Sequence, residues 1–195
     1  YCDENKLQSA YRRYRLTETT VVIVHNDIVR AIDRGEVVAL VLLDLSSAFD
    51  TVDHDCLLSI LRERFSVDGA ALTWFRSYLS GRTQTFTSGS DRCGPLTVNC
   101  SVPQGSSLGP MKFIAYTEDV VELFERYSLS HHLFADDKQL YSGVHVSEIP
   151  LCRQRLASCI QELQQWCASR RLQLNASKTE LIWSSSGHGP HSIPE

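Results

Sequence analysis

Apolar and polar residues follow two periods along this chain, and each change of period marks an element. From Leu16 to Gly35 a helical stripe of Val21, Val24, His25, Ile28 and Ile32 runs between a candidate cap, Thr17, and a stop, Gly35. Glu36 to Leu45 is apolar on both faces, the pattern of a central strand. Asp53 or Asp55 can cap a helix carrying Leu57, Leu58, Leu61 and Phe65. Asp68 can cap the next, with Leu72, Phe75 and Leu79 inward and Gly81 after its end. Arg82 to Ser88 and Leu96 to Val102 alternate as a strand pair around Gly89, Ser90, Asp91 and Gly94-Pro95. A loop, Pro103-Gln104-Gly105-Ser106-Ser107, leads into a helix running through Phe113 and Val120 to about Tyr127.

A hairpin follows, with Asp136-Asp137 at its turn and arms of Leu129 to Ala135 and Gln139 to Tyr141. Pro150 sits in the first turn of a long amphipathic helix with Cys152, Leu156, Cys159, Ile160, Leu163 and Trp166 on one side. Thr179 to Trp183 is the last strand, and the Ser-, Gly-, Pro- and His-rich tail over 184–195 reads as disordered. His188 and His191 belong to that tail, not to a metal site. The order of elements predicts an α+β fold, a mostly antiparallel sheet with helices on one face.

Composition changes this picture in three ways. A chain of 195 residues with 43% hydrophobic content can bury a real core. Seven scattered cysteines without a Cys-x-x-Cys pair point to reduced thiols in an intracellular protein, and Cys152, Cys159 and Cys167 read as small core residues. The net charge of −4 opposes a stand-alone nucleic-acid binder, although Arg12-Arg13 with Arg15, Arg62 with Arg64, and Arg170-Arg171 with Lys178 are local basic clusters. No apolar run is long enough to span a bilayer, so no membrane partner is expected. The chain starts at Tyr1, which reads as a piece of something longer.

The chemistry lies in two apolar runs that end in carboxylates. Val37 to Leu43 ends at Asp44, and His131 to Ala135 ends at Asp136-Asp137. Mg²⁺ takes oxygen ligands, a few carboxylates plus substrate phosphates, and two ions about 3.5–4 Å apart can activate an attacking oxygen and stabilise a leaving one. An Asp-Asp pair by itself is also a common turn feature.

Five segments then resemble, in order, the palm of non-LTR (LINE-type) retrotransposon reverse transcriptases. They are LQSAYRRYRLTETT, LVLLDLSSAFDTVDHDCLL, VPQGSSLGP, FADD and LQLNASKTEL, and they cover most of the chain. The spacing within LDLSSAFDTVDH favours this lineage over the group II intron and telomerase types. The resemblance implies a polymerase palm over residues 1–183 with partial helical fingers. It implies Asp44, Asp136 and Asp137 as ligands of two Mg²⁺ ions, with Mn²⁺ as an alternative. The backbone at Leu45 would approach the triphosphate, and Phe49 would be the aromatic gate against a ribose 2′ hydroxyl. Without the resemblance, Phe49 reads as a core residue. Gln104 would touch the incoming nucleotide or the template, and Gly105 would let backbone come close. Lys178 would stand near the leaving pyrophosphate as its general acid, or else be a solvated lysine beside a strand.

The implied partners are an RNA template, a DNA primer and dNTPs, and the implied location is the nucleus. The implied activity is RNA-directed DNA polymerisation. The fingertip, primer grip, thumb and endonuclease of such elements are expected in flanking parts of a parent polyprotein, so this piece alone is expected to be inactive. The alternative is a non-catalytic remnant of a decayed element. Two positions depart from the family pattern. Lys138, directly after the aspartates, could compete for Asp137, and Lys112 interrupts a helix that is normally more apolar.

Overall fold

The computed structural model describes residues 17–46, 48–102, 106 and 108–186. These fall into two compact units, 17–46 with 119–168 and 173–186, and 48–118 with 169–172. The first unit is built on a four-stranded antiparallel sheet of order β5-β6-β1-β8. Strand β1 (Val37–Leu43) lies between β6 (Asp137–Val144) and β8 (Glu180–Ser184), and β5 (Ser130–Phe134) closes the far edge. An all-apolar strand buried on both faces, as β1 is, needs a central place, because an edge would leave its backbone groups unpaired.

Helix α1 (Thr17–Asp33) packs Val24, Ala31, Ile28 and Ile32 against Val38, Leu40 and Tyr141 of the sheet. The Tyr141 hydroxyl donates to Asp27 at 2.7 Å. Val21 and His25, expected on this stripe, face solvent instead, because the buried line runs through Thr20, Val24 and Ala31. Thr17, the candidate cap, is the first helical residue. Helix α6 (Ile149–Ser169) buries Cys152, Leu156, Cys159, Leu163 and Cys167. Its Arg155 donates to Ser142 Oγ at 2.6 Å. Ser142 and Tyr141 are successive in β6 and so point to opposite faces. The sheet is antiparallel throughout and carries helices packed against it, the α+β arrangement the sequence pattern predicts.

The second unit starts with α2 (His54–Phe65), capped by Asp53, which accepts from Cys56 N–H at 2.8 Å, so Asp53 and not Asp55 is the cap. Phe65 is exposed rather than inward, since Ser66 ends the helix in the left-handed region at φ 53°. Asp68 caps α3 (Gly69–Leu79) as expected, but only Leu79 is fully buried. The strand pair is β3 (Thr83–Ser88) and β4 (Asp91–Thr97), so the turn is two residues long and Gly94-Pro95 lies inside β4. A register shift opposite Gly94 explains this: at φ +121° its missing Cβ would meet Gln84 O at 2.9 Å.

The predicted helix to Tyr127 is split into α4 (Gly109–Thr117) and α5 (Val120–Arg126). The break falls where the chain passes from one unit to the other. The expected disordered tail begins inside β8 at Ser184, and His188 and His191 lie outside the described residues.

A carboxylate site at the end of paired strands

The last pair in the β1–β6 register is Leu43 with Lys138. One further step along each strand sets Asp44 opposite Asp137, where antiparallel partners point to the same face. Strands β5 and β6 are joined by a two-residue turn, Ala135-Asp136, so Asp136 adjoins the same strand end. Two-residue hairpin turns need positive φ, and Ala135 supplies it at +55°. The chain thereby brings Asp44, Asp136 and Asp137 to one end of the central strands.

Their fields interact. Asp137 is exposed by area, yet the protein around its carboxyl removes part of its water, and the negative charges of Asp136 and Asp44 add to that. Together these raise its pKa above the ordinary carboxylate value, with Lys138 and Lys178 opposing. Among the described residues, no three His, Cys, Asp or Glu side chains are gathered closely enough to hold a metal by themselves.

Asp44 is fixed by a segment that follows β7 (Gln173–Leu174), the partner of the short strand β2 (Leu45–Ser46). Asn175 N–H donates to the Asp44 carbonyl at 2.9 Å, and Asn175 Nδ2 donates to Asp44 Oδ2 at 3.2 Å. Asn175 Oδ1 also caps the 3₁₀ turn Ala176–Lys178, accepting from Ser177 N–H at 3.2 Å. That turn presents Lys178, whose ammonium lies 3.3 Å from Asp44 Oδ2 while its side chain stays 65% exposed. Lys178 is thus ion-paired at the site and solvated at once. Asn175 was not singled out from the sequence, although it lies within LQLNASKTEL. The readable signal was an Asn three residues before a Lys, which is cap spacing for a short turn.

Lys138 does not compete for Asp137 as expected. Successive strand residues face opposite ways, and the Lys138 side chain is 1% exposed on the core side, with Nζ donating to the Asp136 backbone carbonyl at 3.2 Å. Burial lowers its pKa to about 8, opposed by the thiol of Cys167 and by the three aspartates.

Leu45 is buried and paired with Leu174. Phe49 belongs to the second unit, half-buried, with its ring stacked on Phe113 at 4.6 Å. Gln104 and Gly105 lie outside the described residues. Cys152, Cys159 and Cys167 are buried free thiols, as expected. No helix among the described residues is long and apolar enough to cross a membrane.

Known proteins resemble this chain in both sequence and fold. Over 178 residues it is 29% identical to the probable RNA-directed DNA polymerase from transposon BS of Drosophila melanogaster, covering 85% of this chain and 19% of that protein. Over 182 residues it is 26% identical to the RNA-directed DNA polymerase from mobile element jockey of Drosophila funebris, covering 89% and 19%. The chain thus spans about a fifth of the length of these relatives. Among solved structures, telomerase from Candida tropicalis in complex with a fragment of telomeric RNA superposes with TM-score 0.65 at 13% identity, over 92% of this chain and 31% of that one. The apo enzyme truncated from its C-terminal domain gives 0.61 at 15% identity, over 93% and 37%. At such identity the likeness is one of fold, and it matches the α+β palm. The family described as Reverse transcriptase (RNA-dependent DNA polymerase) matches residues 4–188. With nearly the whole chain matched, this protein belongs to the reverse transcriptase family, in its non-LTR, LINE-type branch.

Proposed function

We propose that the first unit is the palm, and the second part of the fingers, of an RNA-directed DNA polymerase. In this reading Asp44, Asp136 and Asp137 hold two Mg²⁺ ions, or Mn²⁺ in their place. The observation that carries it is the meeting of Asp44 and Asp137 at the end of paired strands, with Asp136 beside them. The donor set fits: carboxylate oxygens are hard ligands, and the repulsion from Asp136 and Asp44, which adds to desolvation in raising Asp137, is what a dication would relieve. When bound, the ions would activate a primer 3′ hydroxyl against the α-phosphate of a dNTP and stabilise the leaving pyrophosphate.

The chain's own groups orient and move protons. Asn175 holds Asp44 in place from behind. Lys178, charged and reaching into solvent, is suited to donate a proton to the leaving pyrophosphate. The Leu45 backbone would approach the triphosphate, with Gln104 and Gly105 beside the nucleotide or the template. Phe49, braced on Phe113, would exclude the ribose 2′ hydroxyl. The partners would be an RNA template and a DNA primer, in the nucleus. Flanking segments of a longer parent would supply the remaining grip, so this chain alone would extend primers poorly.

Mn²⁺ titration of the chain followed by electron paramagnetic resonance tests the assignment. Asp44→Asn and Asp136→Asn should each weaken binding at least about tenfold. Equal affinity in all three proteins would remove the carboxylates from the reading. Phe49→Val in the parent enzyme should admit ribonucleotides, and unchanged sugar discrimination would return Phe49 to the core. A second reading, a decayed element that folds without polymerising, is favoured by one observation: Lys112 is 3% exposed and its Nζ has no hydrogen-bond partner among the described residues. Metal binding with no nucleotide incorporation by the parent would favour that reading.

A further inference from the structure

In the second unit, Trp74, Tyr78 and Arg82 recur every four residues from α3 into the start of the ribbon. Residues four apart in a helix lie one above the other. Trp74 stacks on Tyr78 with centroids 5.4 Å apart and planes 19° from parallel. The Arg82 guanidinium lies 4.4 Å from the Tyr78 centroid and is held there by Nε–H donating to the Tyr78 carbonyl at 2.8 Å. From the buried side, the Lys112 ammonium reaches 3.6 Å from the same centroid. Aromatic pairs normally hide their faces, yet Trp74 is 51% exposed.

Charge narrows the occupant. From α3 through β4 stand three cations with access to solvent, Arg76, Arg82 and Arg92, against Asp91, with Asp68 at the border and the Lys112 ammonium buried beneath. The whole chain is net −4, so this region runs against its background. Flat, braced π-faces beside guanidinium groups suit unpaired bases joined by phosphates, because every base offers a π-face and every linkage a negative charge. An acidic peptide would satisfy the cations but leave the Trp74 face without a flat partner. A duplex hides its base faces.

We propose that the Trp74–Tyr78–Arg82 ladder is a stacking surface for single-stranded nucleic acid. The choice of RNA as ligand rests on the polymerase reading, but the surface itself uses none of the carboxylates. The test is an anisotropy titration of the chain with a labelled uridine homopolymer across a range of salt, without metal or triphosphate. Its result therefore does not depend on whether the carboxylates support incorporation.

Trp74→Ala should weaken binding about tenfold at every salt concentration while leaving the slope of log affinity against log salt unchanged. Trp74→Phe should retain most of the affinity. Arg82→Gln should flatten the slope by about one phosphate contact. Trp74 is exposed, so both of its variants should unfold thermally as the parent chain does. Wild-type affinity in Trp74→Ala, or equal affinity for the homopolymer and for a duplex, would overturn the proposal.

Discussion

Each unit of this chain buries a lysine, and the two sit in surroundings of opposite sign. Lys138, 1% exposed, lies under three aspartates and donates to the Asp136 carbonyl. Lys112, 3% exposed, reaches the rings of Phe75 and Tyr78, and the Arg82 charge adds to the desolvation that lowers its pKa. Both pKa values fall to about 8, but by different balances. For Lys138 a severe loss of water is opposed by nearby anions. For Lys112 the charge of Arg82 adds to the loss of water. A buried ammonium is tolerable where the local field is negative and costly where only π-faces meet it.

The comparison breaks most sharply at the anionic end. In the parent enzyme, Asp136→Asn should remove several kcal/mol of transition-state stabilisation, with single-nucleotide incorporation falling tenfold for each roughly 1.4 kcal/mol. Near-normal incorporation would end the view that these aspartates serve more than Lys138.

The second effect is smaller and of the other sign. Lys112→Met should stabilise the fold, by up to about 3 kcal/mol near neutral pH, read from urea unfolding. The pH dependence follows from linkage. The folded pKa of about 8 lies below the ordinary value of 10.5, so between these the unfolded chain binds more protons and stability rises with pH. Below about 8 the full penalty applies. The gain from Lys112→Met should therefore shrink between about pH 8 and 10.5, when taken as the difference from the parent chain. That difference cancels Cys159 and Cys167, whose thiols burial pushes up to about 12 and about 11. A gain that stays constant with pH would show that burial does not lower the Lys112 pKa and that the ammonium keeps its proton in the folded chain.

The smallest effect sharpens the comparison at Asp44. Asn175→Ala removes a cap and one hydrogen bond to Asp44, and should cost about 1 kcal/mol of stability. It should also weaken Mn²⁺ binding several-fold, since Asp44 loses a support. An unchanged metal affinity would confine Asn175 to the turn.

What the sequence made legible depended on contrast. An all-apolar run ending in Asp44 admits one reading, a central strand with a carboxylate at its tip, and β1 is that strand. The apolar pattern after Asp137 predicts an arm ending at Tyr141, but β6 continues to Val144, because Ser142 and Gly143 dilute that pattern while pairing with Ala39 and Val38. Strand β7 is two residues long, too short for any periodicity, and its value lies in delivering Asn175. Gly94-Pro95 looked like a turn because those residues usually are one, whereas a bulge in an exposed ribbon makes the same demand on the backbone. Long periodic segments, buried strands and capped helices could be read, while contacts made by single side chains across the fold could not.

The turn that carries Asp136 uses an alanine at φ +55°, a region L-residues enter at a cost of about 1–2 kcal/mol. Glycine would fit there without that cost but would leave the loop freer before folding, offsetting about 0.5–1 kcal/mol.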